Sequence, residues 1–247
     1  MIKLVGICAV IAVWKIASMF ALPLFIPAPE QVLSAFIGLI ETGQLGAGLI
    51  YSFGRITAAA FIALAVALPI ALIVYWSDII HDMMMPVVSM MRFIPVTAFS
   101  PLLILWFGID EKMKISFLVL ATFVYLLPSI LLCFDEIPEQ LINLGKTLGL
   151  KKHEVILKIL LPASAPSIAN SFLMMYGIGW SYVAVVEAVN AKYGLGFIIN
   201  VGAARGKTAI VFSVILTIMA FSFLFDLTGK FAIKRVFAWR YLSDSSE

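Results

Sequence analysis

Apolar residues in this chain of 247 residues occur in six long continuous runs. The runs are Leu4–Phe25, Tyr51–Trp76, Met83–Phe107, Met113–Phe134, Pro166–Ala188 and Thr208–Ala232. Each is long enough for a helix that crosses a bilayer, which takes about 20 residues. Continuous runs lack the alternation of a membrane β-strand, and a helix satisfies its own backbone hydrogen bonds in lipid. The pattern predicts an all-α membrane protein with six transmembrane helices, forming a single domain over residues 1–247.

Composition and charge placement support this prediction and orient the chain. Hydrophobic residues make up 63% and charged residues 13%, whereas soluble domains are about half apolar and a quarter charged. Six spans place both termini on one side of the membrane, where nine lysines and arginines lie, against five on the other side. Because cytoplasmic loops carry the excess of positive charge, both termini are predicted to be cytoplasmic.

The connection between the first two runs has a helical pattern of its own. Pro29 and Glu30 suit the first turn of a helix, where proline and an acidic side chain are both favoured. Polar or small residues then recur at Gln31, Ser34, Gly38 and Glu41, with apolar residues between them. This amphipathic pattern predicts a helix that lies in the membrane interface rather than across the membrane.

The segment 135–165 is the longest predicted cytoplasmic loop. Pro138 begins a short helix that carries Leu141, Leu144 and Leu148 on one side, and Gly149 stands where a terminating glycine belongs. A second short helix is predicted from Lys151 to Leu161, with Pro162 and Pro166 separating it from the next span.

This loop resembles the signature of the permeases of binding-protein-dependent transporters. That signature reads Glu-Ala-Ala, three residues, Gly, nine residues, Ile, one residue, Leu-Pro. Here Gly149, Ile159, Leu161 and Pro162 stand at the matching positions, while Asn143-Leu144-Gly145 replaces the opening triplet.

Further segments are similar to one branch of these type I importers, which handles nitrate, sulfonates, taurine, bicarbonate and some vitamin precursors. They are Pro27-Ala-Pro29, Ser52-Phe-Gly-Arg55, Ile94-Pro95, Ser100–Gly108, Gly179–Glu187 and Gly194-Leu-Gly196. The resemblance implies a non-catalytic permease of an ATP-binding cassette importer in a bacterial inner membrane, for a small oxyanion or, alternatively, a vitamin precursor.

The resemblance also implies partners and a coupling helix. The expected partners are a second permease copy in a homodimer, two cytoplasmic ATPase subunits that bind ATP and magnesium, and an extracytoplasmic solute-binding protein. Membrane lipid is expected around the spans. The ATPase-coupling residues are then Leu141, Asn143, Leu144, Gly145, Leu148 and Gly149. An apolar stripe on a helix outside the membrane favours a partner groove, although a helix packed only on the chain's own spans would show the same stripe.

Charged residues inside the apolar runs are candidates for function because an ionisable group in lipid costs several kcal/mol. Lys15 and Asp226 are predicted to pair at overlapping depths, and the alternative is that Lys15 extends to the interface beside a hydrated Asp226. In the resembled family, the third and fifth spans line the pathway, which makes Arg92, Trp180, Tyr182 and Glu187 candidate pathway residues.

Two alternatives for these charges stay open. An arginine in the pathway suits an oxyanion, because its guanidinium presents a fixed fork of donors. Arg55 and Glu187, both predicted near the outer face, could instead form a structural ion pair.

No cluster of catalytic or metal-ligating residues is visible in the sequence, nor a phosphate-binding loop of the Gly-x4-Gly-Lys-Ser/Thr kind. The sequence therefore predicts no catalytic residue, metal or cofactor in this chain and gives no reason to expect nucleic-acid binding. A secondary transporter remains a less favoured alternative, since such proteins often carry inverted repeats and none is apparent.

Overall fold

Helices form all the regular structure in the part of the chain that the structure, a computed structural model, describes: the backbone of residues 2–241 and the side chains of residues 5, 6 and 8–240. The helices are α1 (Ile2–Phe20), α2 (Pro29–Glu41), α3 (Gln44–Trp76), α4 (Asp78–Met91), α5 (Ser100–Phe107), α6 (Glu111–Asp135), α7 (Glu139–Thr147), α8 (Lys152–Val155), α9 (Leu161–Glu187), α10 (Leu195–Ala204), α11 (Thr208–Val236) and α12 (Ala238–Tyr241). A 3-10 turn covers Val96–Phe99, and a π-helical turn covers Ile156–Leu160.

Among the described residues, four helices are long and apolar enough to cross a membrane. They are Gln44–Trp76, Glu111–Asp135, Lys152–Glu187 and Thr208–Val236. A fifth span is formed only if a sharply bent pair of helices is counted as one. The first predicted run contains an apolar helix, Cys8–Phe20, that is shorter than the other spans. The all-helical class is confirmed, whereas the count of six is not.

The predicted third span, residues 83–107, is broken. The helix Asp78–Met91 and the segment Val96–Phe107 meet at an angle of 90°. Pro95 lies in this break; it has no N–H to continue the ladder, and its ring disfavours helical geometry at Ile94. Proline is tolerated in a membrane helix only when its surroundings restore the lost bonds, and here the chain turns instead. This corrects the prediction of one continuous helix.

The predicted boundary at Pro162 and Pro166 is also wrong. Residues Lys152–Glu187 form one continuous helix of 36 residues, which contains the π-helical turn directly before Pro162. Local π geometry is one of the adjustments that accommodate proline within membrane helices. The segment that follows α7 therefore leads into the long apolar helix without a separate hinge between two helices.

The chain divides into two compact units, which we call the first and second unit. The first unit contains the chain up to Arg55 together with Tyr182–Ser222, and the second contains Ile56–Ser181 together with the chain from Phe223.

Each unit has its own packing. In the first, the Trp14 indole N–H donates to the Pro27 carbonyl over 3.0 Å, and its ring stacks on Phe212 at 6.0 Å. The second has an apolar core in which Ala63, Ala67 and Ala71 of α3 are fully buried. Small residues at four-residue spacing let membrane helices approach each other closely.

Candidate functional site

The helix α7 in the second unit is the first candidate site. Its ends suit a helix: Glu139 lies in the first turn and Lys146 in the last, where each charge complements the helix dipole. Its inward side is held by Gly145, which is buried, and by Ile142, which packs against the core. The amphipathic helix that the sequence predicts from Pro138 is present.

A Schellman motif ends α7. Gly149 adopts a left-handed conformation with φ of 78°, its N–H donates to the Lys146 carbonyl over 3.0 Å, and the Leu150 N–H donates to the Gly145 carbonyl over 3.1 Å. Glycine adopts this conformation without the steric cost that a Cβ would add. The prediction that Gly149 terminates the helix is confirmed.

The leucine side of α7 faces away from the rest of the second unit. Leu141, Leu144 and Leu148 are 37%, 55% and 72% exposed. Asn143 is also exposed, and its side chain accepts a hydrogen bond from Lys146 over 3.2 Å. A helix that packed only on its own spans would bury these leucines, so the stripe is available for a partner.

Gly145 differs from the other predicted coupling residues because it is buried. A Cβ at this position would meet the Cδ1 atom of Ile159 too closely, and Val155 and Leu150 surround the same point. Ile159 belongs to the π-helical turn. In this chain the third residue of the triplet therefore rests against the isoleucine fourteen positions later. Sequence reasoning missed this contact.

A buried carboxylate in the first unit is the second candidate site. Glu187, at the end of α9, is 0% exposed. Its Oε1 atom lies 2.6 Å from Nη1 of Arg55, and Ser52 Oγ lies 2.8 and 2.9 Å from its two oxygens. The Gly196 N–H donates to Oε2 over 2.8 Å. The Arg55–Glu187 ion pair, which the sequence left as an alternative, is confirmed.

Backbone shape brings this cluster together. Gly194 has φ of 135°, and a Cβ there would overlap the Glu187 carboxylate. A Cβ at Gly196 would lie 2.8 Å from the Ala184 backbone. Ser52 accepts the Leu195 N–H over 2.9 Å, which fixes the start of α10. Buried charges are tolerated when they are paired and hydrogen-bonded, so this cluster ties α3, α9 and α10 together within the first unit.

The remaining predicted pathway residues differ in exposure. Trp180 is only 2% exposed, and Tyr182 is half-buried. Arg92 is exposed at the end of α4, at the 90° break, where its Nε donates to the Ser89 carbonyl over 3.1 Å. Its guanidinium lies 5.8 Å from the centre of the Phe93 ring. The break therefore presents an accessible cation beside an aromatic ring.

The Lys15–Asp226 pair is not the pairing that the structure shows. Lys15 Nζ lies 2.7 Å from Glu30 Oε1, and Asp226 pairs with Lys230, four residues on in α11, over 2.6 Å. The hydrogen bond from Lys15 lowers the pKa of Glu30. Both acids therefore pair with a cation that is close in the fold. Asp226 pairs with a lysine four residues later on the same helix face. Glu30 lies in the first turn of α2, directly after the loop from α1, where Lys15 reaches it.

Comparison with known proteins places the signature loop in context. Residues 63–238 match the family described as binding-protein-dependent transport system inner membrane component. The taurine transport system permease protein TauC of Escherichia coli is 28% identical over 232 residues, which cover 92% of this chain and 84% of that protein. A putative aliphatic sulfonates transport permease protein, SsuC of Bacillus subtilis, is 26% identical over 233 residues, covering 94% and 84%.

Solved structures share the fold. A chain of the MetNI methionine ABC transporter in an inward-facing conformation matches with a TM-score of 0.70 at 20% identity, covering 78% of this chain and 96% of that one. A chain of an amino acid ABC transporter matches with a TM-score of 0.65 at 18% identity, covering 81% and 96%.

Fold and sequence together define a membrane-spanning subunit of a transport system. The chain belongs to the family of binding-protein-dependent transport system inner membrane components. It is the permease subunit of an ABC importer, with the type I importer fold.

Proposed function

We propose that two copies of this chain form the solute pathway of the importer and that α7 of each copy binds one ATPase subunit. In this assembly ATP and magnesium bind the ATPase subunits, an extracytoplasmic binding protein delivers the solute, and both termini of the permease are cytoplasmic. The permease itself performs no chemistry; it changes conformation when the ATPases close.

The observation that carries this proposal is the exposed leucine side of α7. Amphipathic helices recognise partners by placing an apolar face in a groove. Leu144 and Leu148 are more than half exposed, while Gly145, one position after Leu144, packs the same helix against Ile159. A force applied to the leucines is therefore transmitted through this contact to the helix Lys152–Glu187, which continues into the membrane.

We further propose that the solute is a small organic sulfonate or a related oxyanion. The relatives named above transport taurine and aliphatic sulfonates, according to their names. Arg92 supports this choice because an exposed guanidinium at a break in a span offers paired donors to an oxyanion. Tyr182, which is half-buried, is the second pathway candidate, whereas Trp180 and Glu187 act by positioning their helices, since both are buried within the chain.

The test is uptake of labelled taurine into proteoliposomes that contain the permease, its ATPase and its binding protein. We expect uptake that requires ATP and is stimulated by the binding protein. Arg92→Gln should lower the maximal uptake rate about tenfold or more, in the range of one lost charge-assisted contact. Lys112→Gln, which removes an exposed charge elsewhere, should have no effect.

Three results would contradict parts of the proposal. Uptake driven by an ion gradient without ATP would indicate a secondary transporter. ATP-dependent uptake of a vitamin precursor but not of sulfonates would reject the oxyanion while keeping the importer. Full activity of Arg92→Gln would remove Arg92 from the pathway.

A further inference from the structure

A cavity of about 450 Å³ lies beside α2 in the first unit. The side of α2 that carries Gln31, Ser34 and Gly38 lines it on one side, and Phe197 and Val201 of α10 line it on the other. Cavities of this size, mostly apolar with a few polar groups, are typical of sites for small ligands. The polar positions that the sequence placed on an interfacial helix therefore face a cavity.

Two cations stand at one end of this cavity. Arg205 and Lys207 flank Gly206, which has φ of 66° and ends α10 in a second Schellman motif. The Lys207 N–H donates to the Gly202 carbonyl over 2.9 Å, and the Gly206 N–H donates to the Ala203 carbonyl over 3.0 Å. These bonds fix the backbone that carries both cations.

The charge at this end is uncompensated. None of the described residues that line the cavity is acidic, and in the part of the chain that the structure describes neither Arg205 nor Lys207 forms an ion pair. By contrast, Lys15 on α1 and Arg55 on α3 are both paired with glutamates. An anion is therefore the complementary ligand.

The other side of α2 is apolar and exposed. Leu33, Ile37 and Ile40 recur at positions i, i+4 and i+7, and they are 59%, 47% and 52% exposed. A groove of about 340 Å³, lined almost entirely by apolar side chains that include Trp14 and Phe36, lies along the helix as well. A helix with this division lies at the boundary between lipid tails and headgroups.

We propose that the cavity binds the phosphate headgroup of an anionic phospholipid, with Arg205 and Lys207 as the phosphate ligands and the groove beside Trp14 as the place of an acyl chain. The cavity offers unpaired cations and polar donors such as Ser34, and an apolar groove lies along the same helix, so the two together fit an amphiphile better than a small hydrophilic solute. The site is distinct from α7 and from Arg92, both of which belong to the second unit, and it does not depend on the identity of the transported solute.

Native mass spectrometry of the purified permease–ATPase complex tests this proposal directly. Phosphatidylglycerol and phosphatidylcholine with identical acyl chains are titrated separately, and the fraction of complex with bound lipid is measured. We expect preferential retention of phosphatidylglycerol. Arg205→Gln and Lys207→Gln should each weaken it about fivefold, the contribution of one cation near an anionic lipid surface, and Lys112→Gln serves as the matched control that should not change it.

A second variant tests the cavity itself rather than its charge. A Cβ at Gly38 would meet nothing within 4 Å, so Gly38→Leu fills the cavity without a backbone clash and should also weaken phosphatidylglycerol binding at unchanged net charge. Equal retention of both lipids by the unaltered chain, or unchanged retention by Arg205→Gln and Lys207→Gln, would overturn the proposal.

Two further arms separate other sources of an anion. Inorganic phosphate that displaces the lipid at equal concentration would show that the cavity recognises a free anion rather than a lipid. Loss of binding-protein affinity in Arg205→Gln, with lipid retention unchanged, would assign the cavity to protein docking. Either result would overturn the lipid assignment, and neither would affect the proposed role of α7.

Discussion

The Glu187 cluster and helix α7 differ in which side chains they bury. Glu187 is completely buried, and its oxygens are bonded to Arg55, Ser52 and the Gly196 N–H, all within the chain. The apolar leucines of α7, by contrast, are exposed although burial would stabilise them. The charged side chain is buried, and the apolar side chains are exposed.

This difference in burial suggests a structural role for the Glu187 cluster and a partner contact for α7. A carboxylate whose oxygens are all hydrogen-bonded inside one chain has no free acceptor for a solute or a partner. We therefore infer that the Glu187 cluster holds α3, α9 and α10 in place. An exposed apolar face on a short helix between two candidate spans has contacts still to make. For this reason we expect the stripe of leucines, rather than the buried charge, to contact a partner.

The largest expected effect comes from placing a charge on the leucine side of α7. Leu144→Asp should reduce ATP hydrolysis that depends on the binding protein by at least about 100-fold, because a charge would have to be desolvated in the ATPase groove. Lys146→Gln changes the net charge by the same one unit on the side of α7 remote from the leucines, because Lys146 lies two residues after Leu144, and it should retain most of the activity.

Gly149→Pro should have a similar effect on coupling through the backbone. Proline cannot adopt the φ of 78° and cannot donate to the Lys146 carbonyl, so the end of α7 would shift. Both variants should insert in the membrane in normal amounts. Normal coupled hydrolysis in Leu144→Asp and Gly149→Pro would show that α7 is not the contact.

An intermediate effect is expected from the buried cluster, and it should appear in stability first. Glu187→Ala leaves Arg55 buried without its carboxylate, which costs about 3–5 kcal/mol of the free energy of unfolding. Thermal unfolding in detergent measures this loss. The double variant Arg55→Leu with Glu187→Leu should recover part of it, because no unpaired charge remains.

A direct role in transport would give a different result. Were Glu187→Ala to keep its unfolding temperature but lose transport, the cluster would be part of the solute pathway rather than a structural tie.

The smallest effect is expected at the exposed pair of Lys15 and Glu30. The carboxyl of Glu30 has a lowered pKa, so the pair contributes whatever stability it has above the ordinary glutamate range and loses it as the pH falls through the lowered pKa. Because Glu30 is fully exposed, solvent screens the pair. Glu30→Gln should leave the unfolding temperature between pH 5 and 8 unchanged within error; a clear drop would show that the pair is shielded by lipid or a partner.

The sequence predicted what depends on local pattern. Apolar runs predicted helical spans, the Gly149 position predicted the end of α7, and the spacing to Pro162 indicated the family. It did not predict the break at Pro95 or the continuity through Pro162, since both prolines stand in apolar runs and only the surrounding packing decides whether a helix bends or accommodates them.

The sequence also did not predict most contacts between segments that are distant along the chain. The Arg55–Glu187 pair could be named as an alternative because both residues were expected near the outer face, but the third participant, Ser52, and the glycines around the carboxylate were visible only as family-like segments. Lys15 was assigned to Asp226 by depth alone, and depth cannot distinguish that acid from Glu30 in the next helix.

The most direct test of the central claim is a cross-link from the leucine side of α7. In a Cys8→Ser background, where the remaining Cys133 is buried, Leu144→Cys should form a disulfide on mild oxidation with a cysteine introduced into the groove of the ATPase subunit, and the complex should protect it from maleimide. Glu139→Cys, which is exposed on the other side of α7, should cross-link much less. A Leu144→Cys thiol that stays fully reactive in the assembled complex and yields no cross-link would contradict the claim that α7 binds the ATPase.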